Sequence, residues 1–232
     1  MKRLTLLAGV IASSFAMSAQ AQELEITVTN LTQGIYYTPI LIAAHNTDVD
    51  MFTVGEAASN ELQAMAEGGD ISGLSALAAA GNADIVENPA AGLLAPASST
   101  TTTLNTMDGN SHLSLVSMML PTNDGFIGVD SWMIPSESGT YTFTLSAYDA
   151  GTEANDEIIN GGGAPGVAGI PIAPGNDAGT GGSGVTSMEE NTMIHVHRGS
   201  LGDDDLSGGK SDLDNTVHRW LNPVARVTVV VK

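Results

Sequence analysis

Polar and apolar residues alternate along much of this chain, and the alternation predicts strands. Between Glu23 and Asn30, Leu24, Ile26 and Val28 are separated by polar residues, the period of a half-buried strand. Residues 35–44 read as a second strand, interrupted by Pro39, which cannot donate to a ladder and marks an edge or a bulge. Residues 100–106 and 112–120 read as strands, and residues 131–134 as a short one stopped by Pro135. The clearest alternation spans residues 140–148. There Tyr141, Phe143, Leu145 and Ala147 point one way, and Thr142, Thr144 and Ser146 the other. A last strand, residues 224–232, sets Ala225, Val227, Val229 and Val231 against Arg226 and Thr228. Two helical patterns intervene. One covers residues 59–67, with Ser59 as N-cap and Gly68-Gly69 as stop; the other covers 72–80 and ends at Gly81. Both are too short to form a core and are expected to cap a sheet. Residues 160–184, rich in Gly, Pro and Ala, read as a long loop inside the domain. The sum is an all-β chain: an antiparallel β-sandwich with one or two short helices and long loops, a closed barrel being the alternative.

Composition narrows the context. The chain opens Met1-Lys-Arg, continues with an apolar stretch from Leu4 to Met17, and then reads Ala19-Gln20-Ala21. That order predicts a secretory leader over residues 1–21, cleaved after Ala21, ahead of one domain over 22–232. The expected location is secreted or periplasmic, and no later segment reads as a membrane span. Seven Lys and Arg face 26 Asp and Glu, for a net charge of −19. Loss of Lys2 and Arg3, one positive charge each, takes −19 to −21. Phosphate-backbone binding needs clustered cations, so nucleic acid is not a candidate partner. There are no cysteines, which removes disulfides, thiol catalysis and Cys-based metal sites.

Two acidic turns carry the candidate chemistry. The first is Pro121-Thr-Asn-Asp-Gly-Phe-Ile-Gly-Val-Asp130, and the second is Tyr148-Asp-Ala-Gly-Thr-Glu153. Each follows an apolar strand pattern. If those strands are neighbours, Asp124, Asp130, Asp149 and Glu153 gather at one end of a sheet. Carboxylates so placed repel one another unless solvent or a cation intervenes. Calcium takes six to eight oxygens from carboxylates, carbonyls and water, so the predicted cofactor is Ca2+. Asp124 and Asp149, each at a strand exit, are the primary metal ligands, with Asp130 and Glu153 secondary. The competing reading makes Asp124-Gly125 a plain turn and Asp149 an Asx cap.

Other motifs are weaker. The loop from Asp203 to Asp214 has oxygens and Gly208 in the register of an EF-hand, but Lys210 and Asp214 depart from it and the flanks are not helical. The competing reading there is a solvated acidic loop. His195 and His197 alternate with Ile194 and Val196, so both imidazoles would share a face. Such a pair offers a zinc or copper site, with His218 and Asp214 as conceivable further ligands, against the competing reading of surface or hydrogen-bonded histidines. An exported hydrolase or redox protein using this pair or the carboxylates is the alternative function. Asp156-Glu157 reads as solvent-facing. No nucleophile elbow, zincin helix or phosphate-binding glycine loop occurs. Two Trp, four Tyr and four Phe are too few to furnish a stacking groove.

Taken together, the two acidic motifs and the closing Asn222-Pro-Val-Ala-Arg-Val227 resemble the spondin N-terminal domain family, found in animal matrix proteins and in exported bacterial proteins. The resemblance extends from about Leu31 to Lys232. It implies a C2-like antiparallel β-sandwich binding one calcium ion through loop carboxylates, and the family's ligand positions match Asp124 and Asp149. It also implies a third acidic ligand before the strand that leads into the first motif, for which Asp108 and Asn105 are the candidates. Gly125 stands where the animal motif has an aromatic, Glu153 where it has Asp, and the family's cysteines are missing. The function implied is an exported calcium-binding module of adhesion or of surface and matrix interaction, without catalysis. Its partners would be the calcium ion and an extracellular protein or glycan.

Overall fold

The computed structural model describes residues 21–172, 174–175, 178–205 and 207–232. The predicted leader, Ala21 apart, lies outside the described residues. Strands follow the alternation closely at both ends of the chain. β1 (Glu23–Asn30) pairs along one side with β5 (Ser99–Asn105) and along the other with β10 (Ala225–Val231). β10 in turn pairs with β8 (Gly139–Asp149). Leu24, Ile26, Val28, Val227 and Val229 point inward from these strands and are fully buried.

The middle of the chain builds the other half. β3 (Leu41–His45) lies between β4 (Asp84–Glu87) and β6 (His112–Leu120), and β6 pairs with β7 (Gly125–Met133). β7 meets β8 over four residue pairs, from Gly125 with Asp149 to Gly128 with Ser146. The strand order is β4-β3-β6-β7-β8-β10-β1-β5, with β2 (Tyr36–Tyr37) on β6 and β9 (His195–Val196) on β8. Every strand pairing is antiparallel, and the sheet folds over until β4 and β5 touch. The architecture is all-β and sandwich-like.

There are two apolar layers. The first lies inside the folded sheet and joins Leu24, Ile26 and Val227 to Leu113 and Leu115. The second lies on the outer face of β3, β6 and β7, beneath α1 (Asn60–Gly68) and α2 (Ser72–Ala80). There Leu62, Met65 and Leu74 of the helices cover Leu41, Val116, Met118 and Phe126. Each such side chain, fully buried, contributes about 1.5–3 kcal/mol of hydrophobic stabilisation. Ser59 caps α1 by accepting from the Leu62 N–H at 3.1 Å, and Gly69 closes it in the left-handed conformation (φ 73°). No helix among the described residues is long and apolar enough to cross a membrane.

Where the structure departs from the sequence reading, burial on both faces is the usual reason. The strand expected over 35–44 is two, β2 and β3, separated at Thr38-Pro39-Ile40. β7 begins at Gly125 and takes in most of the first acidic motif, so the turn is confined to residues 121–124. Phe126 enters the second apolar layer and Ile127 the first, which erases the polar alternation that marks a half-buried strand. The short strand expected at 131–134 is the end of β7, beyond an irregularity between Leu113 and Leu115 where Ser131 has φ 55°. β4, four residues with an acid at each end, shows no alternation at all.

α1 is fixed to the Gly-rich loop by close backbone approach. A Cβ on Gly68 would lie 2.1 Å from the Gly163 carbonyl oxygen. Gly→Ala in a helix ordinarily stabilises by about 0.5–1 kcal/mol. We expect Gly68→Ala to destabilise this protein instead, by more than about 1 kcal/mol in urea unfolding, with increased proteolysis within residues 160–172. A neutral or stabilising effect would contradict the packing.

Candidate metal centre

The site begins at the turn between β6 and β7. Three consecutive side chains there each fasten a different piece of chain. The Thr122 hydroxyl donates to the Met119 carbonyl at 2.5 Å and accepts from the Gly125 N–H at 3.0 Å, closing the turn on itself. The Asn123 amide donates to Asp156 Oδ1 (2.8 Å) and accepts from the Glu157 N–H (3.1 Å). Asp124 Oδ2 accepts from the Thr152 N–H (2.8 Å), the Thr152 hydroxyl (3.3 Å) and the Glu153 N–H (3.2 Å). The first acidic motif thus clamps the second.

Asp149 reaches the same place from the last position of β8, opposite Gly125. Its Oδ1 accepts from the Gly151 N–H (2.9 Å), an Asx turn that starts the loop, and its Oδ2 accepts from the Asn155 amide (2.7 Å). Gly151 has φ 70°, and a Cβ there would fall 2.6 Å from the Thr192 carbonyl carbon, so the turn requires glycine. Glu153 Oε1 accepts from the Gly169 N–H, tying the second motif to the Gly-rich loop. Asp124, Asp149 and Glu153 are 0, 1 and 8 % exposed, unusual burial for three neighbouring acids.

Electrostatics sets this cluster apart. Burial first and the repulsion of Asp149 second push the Asp124 carboxyl up to about 7. Burial pushes Glu153 up to about 8, with Glu67, Asp124 and Asp156 adding repulsion. Asp149 is also raised, chiefly by burial, although Asn155, Gly151 and His195 offset part of it. Among the described residues, two carboxylate oxygens, Asp124 Oδ1 and Glu153 Oε2, are buried with no hydrogen-bond partner. A buried acceptor left unmatched costs about 1–3 kcal/mol, more if charged. The unmatched atoms are both hard oxygens, so the donor set suits a hard cation. Among the described residues, no group of three or more His, Asp or Glu is arranged to hold a metal ion. Any cation here therefore needs Asn side-chain or backbone carbonyl oxygens as well.

The remaining candidates lie elsewhere. Asp130 is not in the cluster: five residues beyond Gly125, roughly 17 Å along β7 at strand rise, it accepts from the Met51 N–H and from Ser114 and Ser131. Asp108 and Asn105 precede β6 whereas Asp124 follows it, so the strand's length, roughly 27 Å, separates them from the site. Asp108 instead accepts from the Ala21 N–H, and Asn105 pairs with Glu23. In the loop from Asp203 to Asp214, Asp203 accepts from the Asp205, Lys210 and Ser211 N–H groups and Asp214 from Thr216, as turn caps.

His195 and His197 differ in environment. His195 Nε2 lies 3.8 Å from Asp149 Oδ2. His197 packs on Trp220 with ring centroids 5.0 Å apart, and its Nδ1 accepts from the Gly199 N–H at 3.0 Å. Burial holds His197 down at about 3, so the ring is neutral with its proton on Nε2. Neither nitrogen of His197 then offers a free lone pair.

Several functional-looking acids escape a sequence reading. Glu157, expected to face solvent, is buried with φ 59° and accepts from the Leu201 and Gly202 N–H groups and the Ser211 hydroxyl. Glu67 accepts from the Gly166 N–H and the Gln63 side chain. Asp212 gathers the Ile159, Thr180 and Gly182 N–H groups. These acids order long loops, and no local pattern signals a carboxylate whose partners are remote backbone amides. Outside Asp149 lies a cavity of about 230 Å³ lined by Asp149, Asn155, Thr186, Glu189, His195 and Arg198.

A search of curated proteins finds no match to this chain. The family model Spondin_N matches residues 29–157, more than half of the 232 residues, and includes both acidic motifs. The closing segment from Asn222 lies outside that span, though β10, which begins within it at Ala225, joins β8 to β1. With matched sequence running from the end of β1 through the clamp that joins the two motifs, the chain belongs to the spondin N-terminal domain family, a family of extracellular, matrix-type modules.

Proposed function

We propose that this chain is an exported calcium-binding module whose work is adhesion or surface and matrix interaction, without catalysis. The observation that carries the reading is the buried, unmatched Oδ1 of Asp124, set beside Asp149 and Glu153. Asp124 and Asp149 would hold the ion, Glu153 would turn its free Oε2 toward it, and carbonyl oxygens would complete the shell. Bound calcium supplies positive charge that offsets the repulsion among these carboxylates. The chain does the rest. Asp124 keeps the 152–153 backbone fixed through Oδ2, Asp149 keeps Gly151 and Asn155, and Glu153 keeps Gly169. Loops from residue 151 to 169 would be ordered as a rim presented to an extracellular protein or glycan. Export is supported by the leader pattern of residues 1–21.

Two experiments test this reading. In calorimetric titration of the protein with calcium, Asp124→Asn with Asp149→Asn should lose most of the binding heat and melt no higher than the chelated parent. Unchanged affinity would move the site elsewhere, with the loop from Asp203 to Asp214 next to be tested. The second experiment uses pH. Asp124 and Glu153 hold their protons more tightly folded (about 7 and about 8) than at their ordinary values of 3.8 and 4.5. Unfolding therefore releases protons across roughly pH 4 to 8, and stability falls as pH rises through that window. In EDTA the melting temperature should drop by several degrees between pH 5 and pH 8, and millimolar calcium should remove most of the drop at pH 8. A chelated protein more stable at pH 8 than at pH 5 would contradict the assignment.

A further inference from the structure

The sheet has one long open seam. β7 and β8 pair only from Gly125 to Gly128 against Ser146 to Asp149, and then diverge. Among the described residues, β8 is bonded from Gly139 to Leu145 to β10 alone. Leu145 accepts from the Val224 N–H on the β10 side, and backbone groups alternate sides along a strand. The N–H and C=O groups of Thr140, Thr142 and Thr144 therefore point into the seam, and all three residues are exposed. Trp132 of β7 stacks on Phe143 with centroids 4.7 Å apart, closing the core beneath the gap. At the point of divergence lies a cavity of about 390 Å³, bounded by Phe52, Val54, Val129, Asp130, Thr144 and Tyr148.

This edge lacks the usual protection. Natural edge strands carry charges, prolines or covering segments that prevent further pairing. Residues 139–148, Gly-Thr-Tyr-Thr-Phe-Thr-Leu-Ser-Ala-Tyr, contain neither a charge nor a proline, in a chain with 26 acids. β5, equally uncharged, is covered: β4 lies against it, the Thr100 hydroxyl donates to the Pro89 carbonyl, and the Met107 N–H donates to Asp84. The seam side of β8 has no such cover among the described residues.

We propose that this edge is a docking site for an extended segment of another protein, added as a strand beside β8. Main-chain hydrogen bonds to Thr140, Thr142 and Thr144 would provide the attachment. Charge decides the occupant. Asp130 lies at the mouth of the seam and Glu137 in the loop that precedes β8, while Arg226 pairs on the β10 side of Thr144. A second copy brings another −19 and is repelled, whereas an uncharged alternating segment with Lys or Arg at its ends is attracted. The inference goes beyond the calcium reading and does not depend on it.

The test uses two synthetic peptides, each an alternating Thr-Val heptamer, one flanked by Lys at both ends and one by Glu. Amide hydrogen exchange is followed by NMR on the protein in EDTA and again in calcium. The Lys-flanked peptide should slow exchange at Thr140, Thr142 and Thr144 at least tenfold, bind at least fivefold more weakly in 0.5 M salt, and outbind the Glu-flanked peptide. Thr142→Pro removes a seam-facing donor without removing a β10 bond, and should abolish binding. Thr144→Lys, which keeps the backbone intact, should weaken it at least fivefold even if Thr142→Pro fails to fold. No protection in either condition would overturn the proposal. So would equal binding of the Glu-flanked peptide, or a concentration-dependent dimer that protects these amides without peptide.

Discussion

The carboxylate of Asp124 is the interaction on which the rest of this end of the molecule depends. One oxygen holds the backbone of Thr152 and Glu153; the other is buried and meets no donor among the described residues. The first oxygen makes the second motif follow the first, because β7 and β8 converge here and the loop after Asp149 must turn back over the junction. The second oxygen gives the cluster its chemistry. A buried carboxylate beside another, with one lone-pair face unmatched, is a costly arrangement for packing alone. Either a proton or a cation relieves it, and the raised titration of Asp124 and Glu153 is the same tension expressed as proton affinity.

Loops are tied in by the same chemistry across a wider area. Asn123 holds the chain at 156–157, Glu157 holds 201–202 and Ser211, and Asp212 holds 159, 180 and 182. Glu67 on α1 reaches Gly166. Long, glycine-rich connections bury little apolar surface, so their order comes from backbone N–H groups donating to inward-facing acids. Among the described residues six acids, Glu67, Asp124, Asp149, Glu153, Glu157 and Asp212, are buried and serve structure, while most of the chain's 26 acids give its surface charge. A chain without cysteines thereby fixes its loops without disulfides.

Strands that face one core were legible by their alternation; of those that face two, β6 was legible as a continuous apolar run, whereas β7, led by an acidic turn, was not. β1, β8 and β10 show their alternation because one face is polar. β7 hides it, because Phe126 and Ile127 enter different apolar layers, and so a strand reads as an acidic turn. The candidate site was half legible for a related reason. Asp124 and Asp149 sit at strand exits and Glu153 follows a glycine turn, all local signals. Asp130 shares the motif but is carried along β7 by the strand the turn concealed. Glu157 and Asn155 have no local signal, since their partners lie on other loops or depend on Asp149 being in place.

A divalent ion seated on Asp124 can be located directly. Crystals of the protein grown with calcium, or soaked with terbium as its stand-in, would yield an anomalous-difference map. The account predicts a peak within about 2.3–2.6 Å of an Asp124 carboxylate oxygen and bonded also to Asp149. A map with no peak at Asp124, or with its only peak in the loop from Asp203 to Asp214, would contradict it.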